Sequence, residues 1–575
     1  MIIRFAFALV ALVLTACAEE KGEPPPPAPD VRSEAADVVY RNGKIYTVDE
    51  AQPWAEAVAI KDGKFLAVGS NAEVEAVSGA ATRVVDLAGA FAMPGLVDPH
   101  THASLSMKNR VFCELPGTFF EPTEEQILSE IRECAATYPE DLEWFIAEGF
   151  AASVMSPENF TKQTLDEIFP DRPAYIGDES GHNAWVNSRA LEVAGITKDT
   201  PDTELGFYSR DPKSNDPTGR VFEEAMNTFI AIIPPLTLEQ QKAALMKMQQ
   251  AGSEQGVTAQ GDAYTFEEQL EAWQSLHKND ELIAHTVLYM DGNFGTADLT
   301  PVEELIARYE NYDLPGSRGI KMSLGGAIES NTEILIDGYG DGTANPSSTL
   351  VSVEDLSAYL AELDEHGFQV KIHAIGDGTV RAVLDGYEPV IRANGGNPNR
   401  HHIDHCSLVH PDDFPRFVEM DVSCTAWSML NAPTGYNLEV VFPKLKQETR
   451  ARMYPNRSML DAGIRLVNHS DSPNATLWPW WGMEAAITRG FPGKPEIAKM
   501  NPDQALTLEE ALVINTINAA WSLRMEAETG SIEVGKFADM VILNHNLFEI
   551  EATEIHDTKV QKTIFKGRVV YEGGR

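Results

Sequence analysis

The chain has few basic residues for its length, few cysteines and no hydrophobic run long enough to span a membrane. Lysine and arginine number 45 against 87 aspartates and glutamates, a formal net charge of −42, which disfavours nucleic acid and anionic lipid surfaces as partners. The 575 residues contain 5 cysteines, too few for a disulfide scaffold, and none is spaced as in a zinc knuckle. The remaining composition, 43% hydrophobic and 23% charged, is that of a globular protein with several domains.

The N-terminus carries a targeting pattern. A cationic start is followed by an apolar run at 5–16 that is too short to span a bilayer and is typical of a signal peptide. Leu-Thr-Ala-Cys at 14–17 resembles the bacterial lipobox, so Cys17 is expected to become a lipidated N-terminus, with a plain secretory signal as the alternative. Ala18 after it favours attachment to the outer membrane, facing the periplasm. The proline-rich segment 18–35 is expected to be an extended tether.

Both ends of the remaining chain have the pattern of β structure. Short β-branched runs at 37–47 and 57–69 are interrupted by Asn-Gly and Asp-Gly, which are strong hairpin signals. Similar runs return near the C-terminus. We therefore expect one small β-sandwich domain built from residues 36–93 and 530–575.

The middle of the chain alternates between strand-like and helix-like segments. This alternation, with eight strand-like runs, predicts a (β/α)₈ TIM-type barrel over residues 94–529. A connection of the length found between the first two runs cannot be a simple loop, so an inserted subdomain, expected to be helical, is predicted at about 104–250. The eight runs begin near Leu96, Gly256, Ile283, Gly319, Gln369, His401, Asp421 and Arg465.

Groups that bind metal ions collect at the ends of these runs. His100 and His102 end the first run, and residues two apart on a strand point to the same side, so both imidazoles can meet one ion. In a barrel the C-terminal ends of all strands lie on the face that holds the active site. The later runs contribute Lys321, His373, His405 and Asp471.

The combined pattern resembles the amidohydrolase superfamily. Further motifs resemble amidohydrolase family 3, the YtcJ-like branch that includes N-substituted formamide deformylases, and the resemblance extends from about Ala36 to Gly573. It implies a metal-dependent hydrolase on a barrel. These motifs are residues 181–188, Pro217-Thr218-Gly219 with Glu223, 256–258 and 373–377.

The resemblance also implies a ligand set. His100 and His102 would hold the more buried ion, and His373 and His405 the more exposed one. Lys321 matches the lysine that bridges two ions when carboxylated; an unmodified lysine beside one ion is the alternative. Many relatives follow this lysine with Asp-Gly, whereas this chain has Gly-Gly, which leaves one or two ions open. Zinc is the default for such a site, and iron, manganese and cobalt also fit.

Asp471 matches the proton shuttle of the superfamily and also counts among the metal ligands. A bound divalent ion makes hydroxide available at neutral pH, and Asp471 would take its proton and pass it to the leaving nitrogen. His182 is expected to polarise the substrate carbonyl. Glu223, Trp185 and His469 are the remaining substrate-binding candidates, and His469 either points into the cavity or packs.

The sequence therefore predicts a metal-dependent amidohydrolase that cleaves a linear C–N bond other than a peptide bond, in an N-formyl, N-acyl or carbamoyl group. Hydrolysis of a lactone, another ester or a cyclic amide is the alternative on the same site, and a non-catalytic metal- or ligand-binding lipoprotein is a third hypothesis. The expected partner is a small molecule, the membrane being reached only through the lipid anchor. A homodimer and a bridge between Cys113 and Cys134 stay open.

Overall fold

The computed structural model describes residues 35–108, 113, 115, 122–178, 183–203, 206–316, 318–472 and 477–573. Two predicted functional residues, Cys17 and His182, lie outside these residues. So do the signal segment and almost all of the tether. Among the described residues no helix combines the length and apolarity needed to cross a bilayer.

The strands of the described residues form four β-sheets. In chain order they are β1 (Val38–Arg41), β2 (Lys44–Tyr46), β3 (Trp54–Ala55), β4 (Ala57–Lys61), β5 (Lys64–Gly69), β6 (Arg83–Asp86), β7 (Phe91–Pro94), β8 (Leu96–Thr101), β9 (Phe145–Phe150), β10 (Ala174–Asp178), β11 (Asn183–Val186), β12 (Gly206–Arg210), β13 (Pro217–Glu223), β14 (Val257–Thr265), β15 (His285–Asp291), β16 (Gly319–Ser323), β17 (Gln369–Ala374), β18 (His402–His405), β19 (Ser423–Ala426), β20 (Leu466–Asn468), β21 (Met540–Leu543), β22 (Val560–Phe565) and β23 (Arg568–Glu572).

Helices lie between many of these strands. They are α1 (Asn71–Glu75), α2 (Ala103–Lys108), α3 (Glu124–Thr137), α4 (Lys162–Ile168), α5 (Ser188–Val193), α6 (Asn227–Ile230), α7 (Leu238–Glu254), α8 (Glu267–Lys278), α9 (Val302–Asn311), α10 (Val353–Glu365), α11 (Asp377–Asn394), α12 (Phe414–Met420), α13 (Gln447–Arg450), α14 (Asn456–Asp461), α15 (Pro479–Thr488), α16 (Leu508–Ile514) and α17 (Ile517–Ser522).

The barrel prediction is confirmed. One eight-stranded sheet has the order β20-β19-β18-β17-β16-β15-β14-β8, and every neighbouring pair in it is parallel. Each strand lies at a predicted run. Just past its two edge strands the sheet closes: the Asp471 N–H donates to the His100 carbonyl at 3.0 Å, and the His102 N–H donates to the Ser472 carbonyl at 2.6 Å. The C-terminal ends of β8 and β20 therefore meet at one place.

Strands from both chain ends share one sheet, as the predicted fold class requires. C-terminal β21 pairs with N-terminal β7, and β7 with β2. A second sheet, β5-β4-β1-β6, lies against it, and Ile60, Ala92 and Ile564 are buried in their common core. Gly95 links β7 to barrel strand β8, where a Cβ would lie 2.1 Å from Oγ1 of Thr258, so the close approach of the two backbones requires glycine.

The insertion contains a sheet, which corrects the expectation of a helical subdomain. Its strands have the order β12-β13-β11-β10-β9. Side chains alternate between its two faces: Phe145 packs into one hydrophobic core and Ile146 into another. A sheet buried on both faces reads as a continuous apolar run, and the periodicity of such a run does not distinguish a strand from a helix.

The four described cysteines form two disulfides. Cys113 and Cys134 are bonded within the insertion, with Cα atoms 5.9 Å apart. Cys406, which follows β18, is bonded to Cys424 in β19, with Cα atoms 6.2 Å apart. The first pair is the bridge that the sequence left open.

Candidate metal centre

The strand ends bring three predicted ligands into direct contact. Oδ1 of Asp471 lies 3.1 Å from Nε2 of His100 and 3.1 Å from Nε2 of His102. The two Nε2 atoms are 3.2 Å apart. All three side chains are buried. Asp471 adopts a φ of 60°, a left-handed conformation at the point where the chain leaves β20.

His405 and His373 lie beside this group. The His405 ring centroid is 5.0 Å from that of His100 and 4.5 Å from that of His373. His405 also has a positive φ, 76°, at the end of its strand. The histidines predicted from β8, β17 and β18 thus converge on one face of the barrel.

In two of these histidines, a hydrogen bond to one ring nitrogen determines that the other nitrogen is available to an ion. Nδ1 of His102 lies 3.0 Å from the Ala263 carbonyl, so it carries the proton and leaves the Nε2 lone pair toward Asp471. Nε2 of His373 lies 2.7 Å from the Gly326 carbonyl, which leaves Nδ1 free to bind. Outer partners of this kind orient metal-binding histidines.

The electrostatics also suit a metal ion. Burial lowers the pKa of His373 to about 4 and takes that of His405 well below its usual value, so both rings are neutral at pH 7. Burial raises the pKa of Asp471, but the contacts of its carboxylate with His100 and His102 outweigh burial, so its pKa lies well below the usual value. Neutral imidazoles and an ionised carboxylate are the protonation states that metal ligands need.

Unpartnered nitrogens give a direct test of fit. Nδ1 of His405 and both ring nitrogens of His469 are buried without a hydrogen-bond partner, although buried polar atoms are nearly always bonded. Ligand atoms of His100, His469 and Asp471 lie within 4.8 Å of one another. The donor set, imidazoles with one carboxylate, fits a divalent transition metal such as zinc.

Lys321 is held by a carboxylate that the sequence reasoning missed. Its Nζ donates to Oδ2 of Asp404 at 2.5 Å, and the same oxygen lies 3.1 Å from Nδ1 of His100. Nζ of Lys371 is 3.9 Å away. All of these groups are buried, so Lys321 and Asp404 form a buried ion pair. Asp404 directly precedes His405, and its position inside a barrel strand was the signal available in the sequence.

Glu333 is a second carboxylate that was not predicted from the sequence, and it stabilises the turn after His373. It is fully buried and accepts the N–H groups of Ile375 at 3.2 Å and Gly376 at 3.0 Å. Its Oε1 lies 3.9 Å from Nε2 of His373. A Cβ at Gly325 would lie 2.5 Å from Oε1 of Glu333. The glycine at position 325 thus leaves room for this carboxylate.

Aromatic side chains surround the metal-binding group. Tyr264 stacks on His102 with ring centroids 6.2 Å apart and contacts Phe294 at 5.0 Å. Trp427, at the end of β19, lies 6.1 Å from the His469 ring, and its Nε1 is buried without a partner. These rings were not predicted as site residues, because their contacts join segments that are distant in sequence.

Trp185 and Glu223, the other two predicted substrate-binding residues, belong to the insertion. Trp185 is fully buried in the core of the insertion, packs against Phe160 at 5.3 Å, and donates its Nε1–H to the Thr161 carbonyl at 2.8 Å. It therefore has no free surface or donor for a substrate. Glu223 is exposed at the end of β13.

Comparisons with known proteins agree with this geometry. A family model described as "Amidohydrolase family" matches residues 83–571. The N-substituted formamide deformylase of Arthrobacter pascens is 27% identical over 93% of this chain and 98% of its own length. The putative amidohydrolase YtcJ of Bacillus subtilis is 26% identical over 93% and 99%. In fold, an uncharacterized metal-dependent hydrolase from Pyrococcus horikoshii matches with a TM-score of 0.69 at 22% identity, over 90% of this chain and 99% of that chain.

Proposed function

We propose a specific function for this chain, which belongs to the amidohydrolase family. It is a metal-dependent hydrolase that cleaves a linear amide-type C–N bond, in an N-formyl, N-acyl or carbamoyl group. One observation carries the proposal: Nε2 atoms of two histidines and one carboxylate oxygen of Asp471 converge within 3.2 Å of one another. This convergence lies at the end of the barrel where such enzymes hold their active sites.

His100, His102, His373, His405 and Asp471 would hold one or two divalent ions, and Lys321 would join them if it is carboxylated. A divalent ion bound there lowers the pKa of water and polarises a substrate carbonyl. The tautomers set by Ala263 and Gly326 keep the lone pairs of His102 and His373 on the inner side of their rings.

Asp471 transfers a proton from the attacking water to the leaving nitrogen. Its carboxylate is ionised at neutral pH because the neighbouring imidazoles hold its pKa low, so it can accept a proton from the attacking water. It then delivers that proton to the leaving nitrogen, which converts an amide anion into a neutral amine. This step balances the reaction: the C–N bond breaks, a C–O bond forms, and water supplies both the oxygen and the proton.

The linear amide is favoured by the likeness to a deformylase of N-substituted formamides. Aromatic rings of Tyr264, Phe294 and Trp427 beside the group suit an apolar substituent on the amide. Esters, lactones and cyclic amides are the second substrate class, since the same chemistry at a carbonyl hydrolyses them too.

The test uses Asp471→Asn. An Asn side chain keeps the size and one oxygen but cannot shuttle a proton, so kcat should fall by about 10²–10⁴. Turnover of matched N-formyl, N-acyl, carbamoyl and ester substrates is compared for both proteins. Ester-only turnover contradicts the linear amide, an unchanged rate contradicts the role of Asp471, and metal binding without turnover of any substrate supports a binding protein.

We further propose a small-molecule substrate and attachment to the outer membrane, facing the periplasm, through a lipid on Cys17. The acidic composition keeps the body of the protein off anionic surfaces, so the lipid is the anchor. Cys17→Ser should move the protein from the membrane fraction to the soluble fraction; unchanged fractionation contradicts the anchor. A concentration series in analytical ultracentrifugation tests the homodimer.

A further inference from the structure

We propose that His469 is itself a ligand of the metal ion, outside the ligand set that the resemblance implies. The inference rests on the proposed function only for the presence of an ion. It assigns a third imidazole to the end of the site formed by β8 and β20, so that His100, His102, His469 and Asp471 surround one ion.

Position is the first argument. The His469 ring stacks on that of His100 with centroids 4.8 Å apart and planes inclined by 20°, and it lies 4.9 Å from the His405 ring. Its ligand atom is within 4.8 Å of those of His100 and Asp471. Two atoms that share an ion at about 2.1 Å each lie at most about 4.2 Å apart. In a tetrahedral site the two atoms lie about 3.4 Å apart, so closing the group needs a shift of at most about 1.4 Å in their separation.

The absence of hydrogen-bond partners for the His469 ring nitrogens is the second argument. His469 is 2% exposed, and neither ring nitrogen has a hydrogen-bond partner. A neutral imidazole has one donor and one acceptor, and a histidine that merely packs would satisfy at least one of them. A bound ion satisfies the acceptor nitrogen.

The backbone around His469 is firmly held, which is the third argument. Its N–H donates to the Ala426 carbonyl at 3.2 Å. On one side, the Ser470 hydroxyl and N–H donate to Asp98 at 2.5 and 3.1 Å. On the other, Asn468 accepts the Ser428 N–H at 3.0 Å. A backbone held in this way fixes the position from which the ring extends into the site, which favours preorganised binding.

The experiment measures metal affinity directly. Zinc dissociation constants are determined by chelator competition for the wild type, for His469→Ala, and for His277→Gln, an exposed histidine on α8 that controls for adventitious binding. Loss of a hydrogen-bond partner of a ligand typically costs 10- to 100-fold in affinity, so losing a ligand should weaken zinc binding by about 100-fold or more. His277→Gln should match the wild type.

Chemical rescue separates ligation from folding. In His469→Gly, added imidazole can occupy the vacated space and should restore zinc affinity, whereas a folding defect would not be restored. The visible spectrum of the cobalt-substituted protein should change in His469→Ala and return toward the wild-type spectrum in His469→Gly with imidazole.

Wild-type zinc affinity and an unchanged cobalt spectrum in His469→Ala would overturn the proposal, whether or not turnover falls. A fall in turnover alone would instead assign His469 to proton transfer. Wild-type protein that is fully active without any metal would contradict the proposed function itself, a result distinguishable from failure of the His469 assignment.

Discussion

Asp404 is a buried anion that lies beside two lysines and His100, and replacing it by asparagine tests the electrostatics of the site. Its carboxylate lies 2.5 Å from Nζ of Lys321 and 3.9 Å from Nζ of Lys371, and none of the three side chains is more than 1% exposed. Asparagine keeps the shape but removes the charge, so two buried ammonium groups lose their counter-charge. Breaking a buried pair in this way costs about 3–5 kcal/mol of unfolding free energy.

The loss of unfolding free energy in Asp404→Asn changes with pH in a definite direction. Burial lowers the pKa of Lys371 to about 8, and Asp404 opposes that shift, so the pKa of Lys371 falls further in Asp404→Asn. The folded variant then releases a proton that its unfolded chain still holds, and stability rises with pH wherever the unfolded state binds more protons. The deficit against the wild type is therefore largest near pH 6 and shrinks as the pH rises toward 8.

Urea unfolding of the metal-free proteins, followed by tryptophan fluorescence at several pH values, measures both effects. The control is Asp385→Asn, which breaks the ion pair of a half-exposed Asp385 with Arg416 and should cost about 1 kcal/mol or less. If Asp404→Asn is no more destabilising than this control, the assignment of Asp404 as the counter-charge of the barrel interior is refuted.

Two further predictions concern the insertion. Burial raises the pKa of Glu148 to about 7, so the folded state binds more protons than the unfolded state between about pH 4.5 and 7, and wild-type stability falls as pH rises through this window. Glu148→Gln removes that dependence, and its stability advantage should grow across the window by up to about 3 kcal/mol; a constant difference, equal to that of the exposed control Glu143→Gln, would contradict the shift. Trp185→Ala should cost about 3–5 kcal/mol of unfolding free energy through loss of core packing while leaving KM unchanged, and a raised KM without loss of stability would return Trp185 to the substrate site.

Much of the fold could be predicted from the sequence because barrel strands are short, apolar and separated by helices. Leu96, Gly319 and Gln369 each begin a strand where the apolar pattern begins. The strands of the insertion could not be predicted in this way. Phe145 and Ile146 face opposite cores, so the strand shows no alternation of polar and apolar residues and its type depends on tertiary contacts.

Only some contacts of the metal-binding site could likewise be predicted from the sequence. His100 and His102 could be paired from sequence because two residues apart on a strand is a local relation. Asp404 with Lys321, and Glu333 with Gly376, are separated by 83 and 43 residues, and only the closed barrel brings them together. His469 was ambiguous because the direction of its side chain at the end of β20 depends on the turn that precedes Asp471.

The central claim is that hydrolysis depends on a divalent ion held at the barrel mouth. One preparation of the purified protein, assayed for metal content and for turnover of an N-formyl amide before chelation, after chelation and after zinc is restored, tests it most directly. We predict one or two ions per chain, loss of turnover together with the ion, and recovery of both on reconstitution. Full turnover by the metal-free protein would contradict the account.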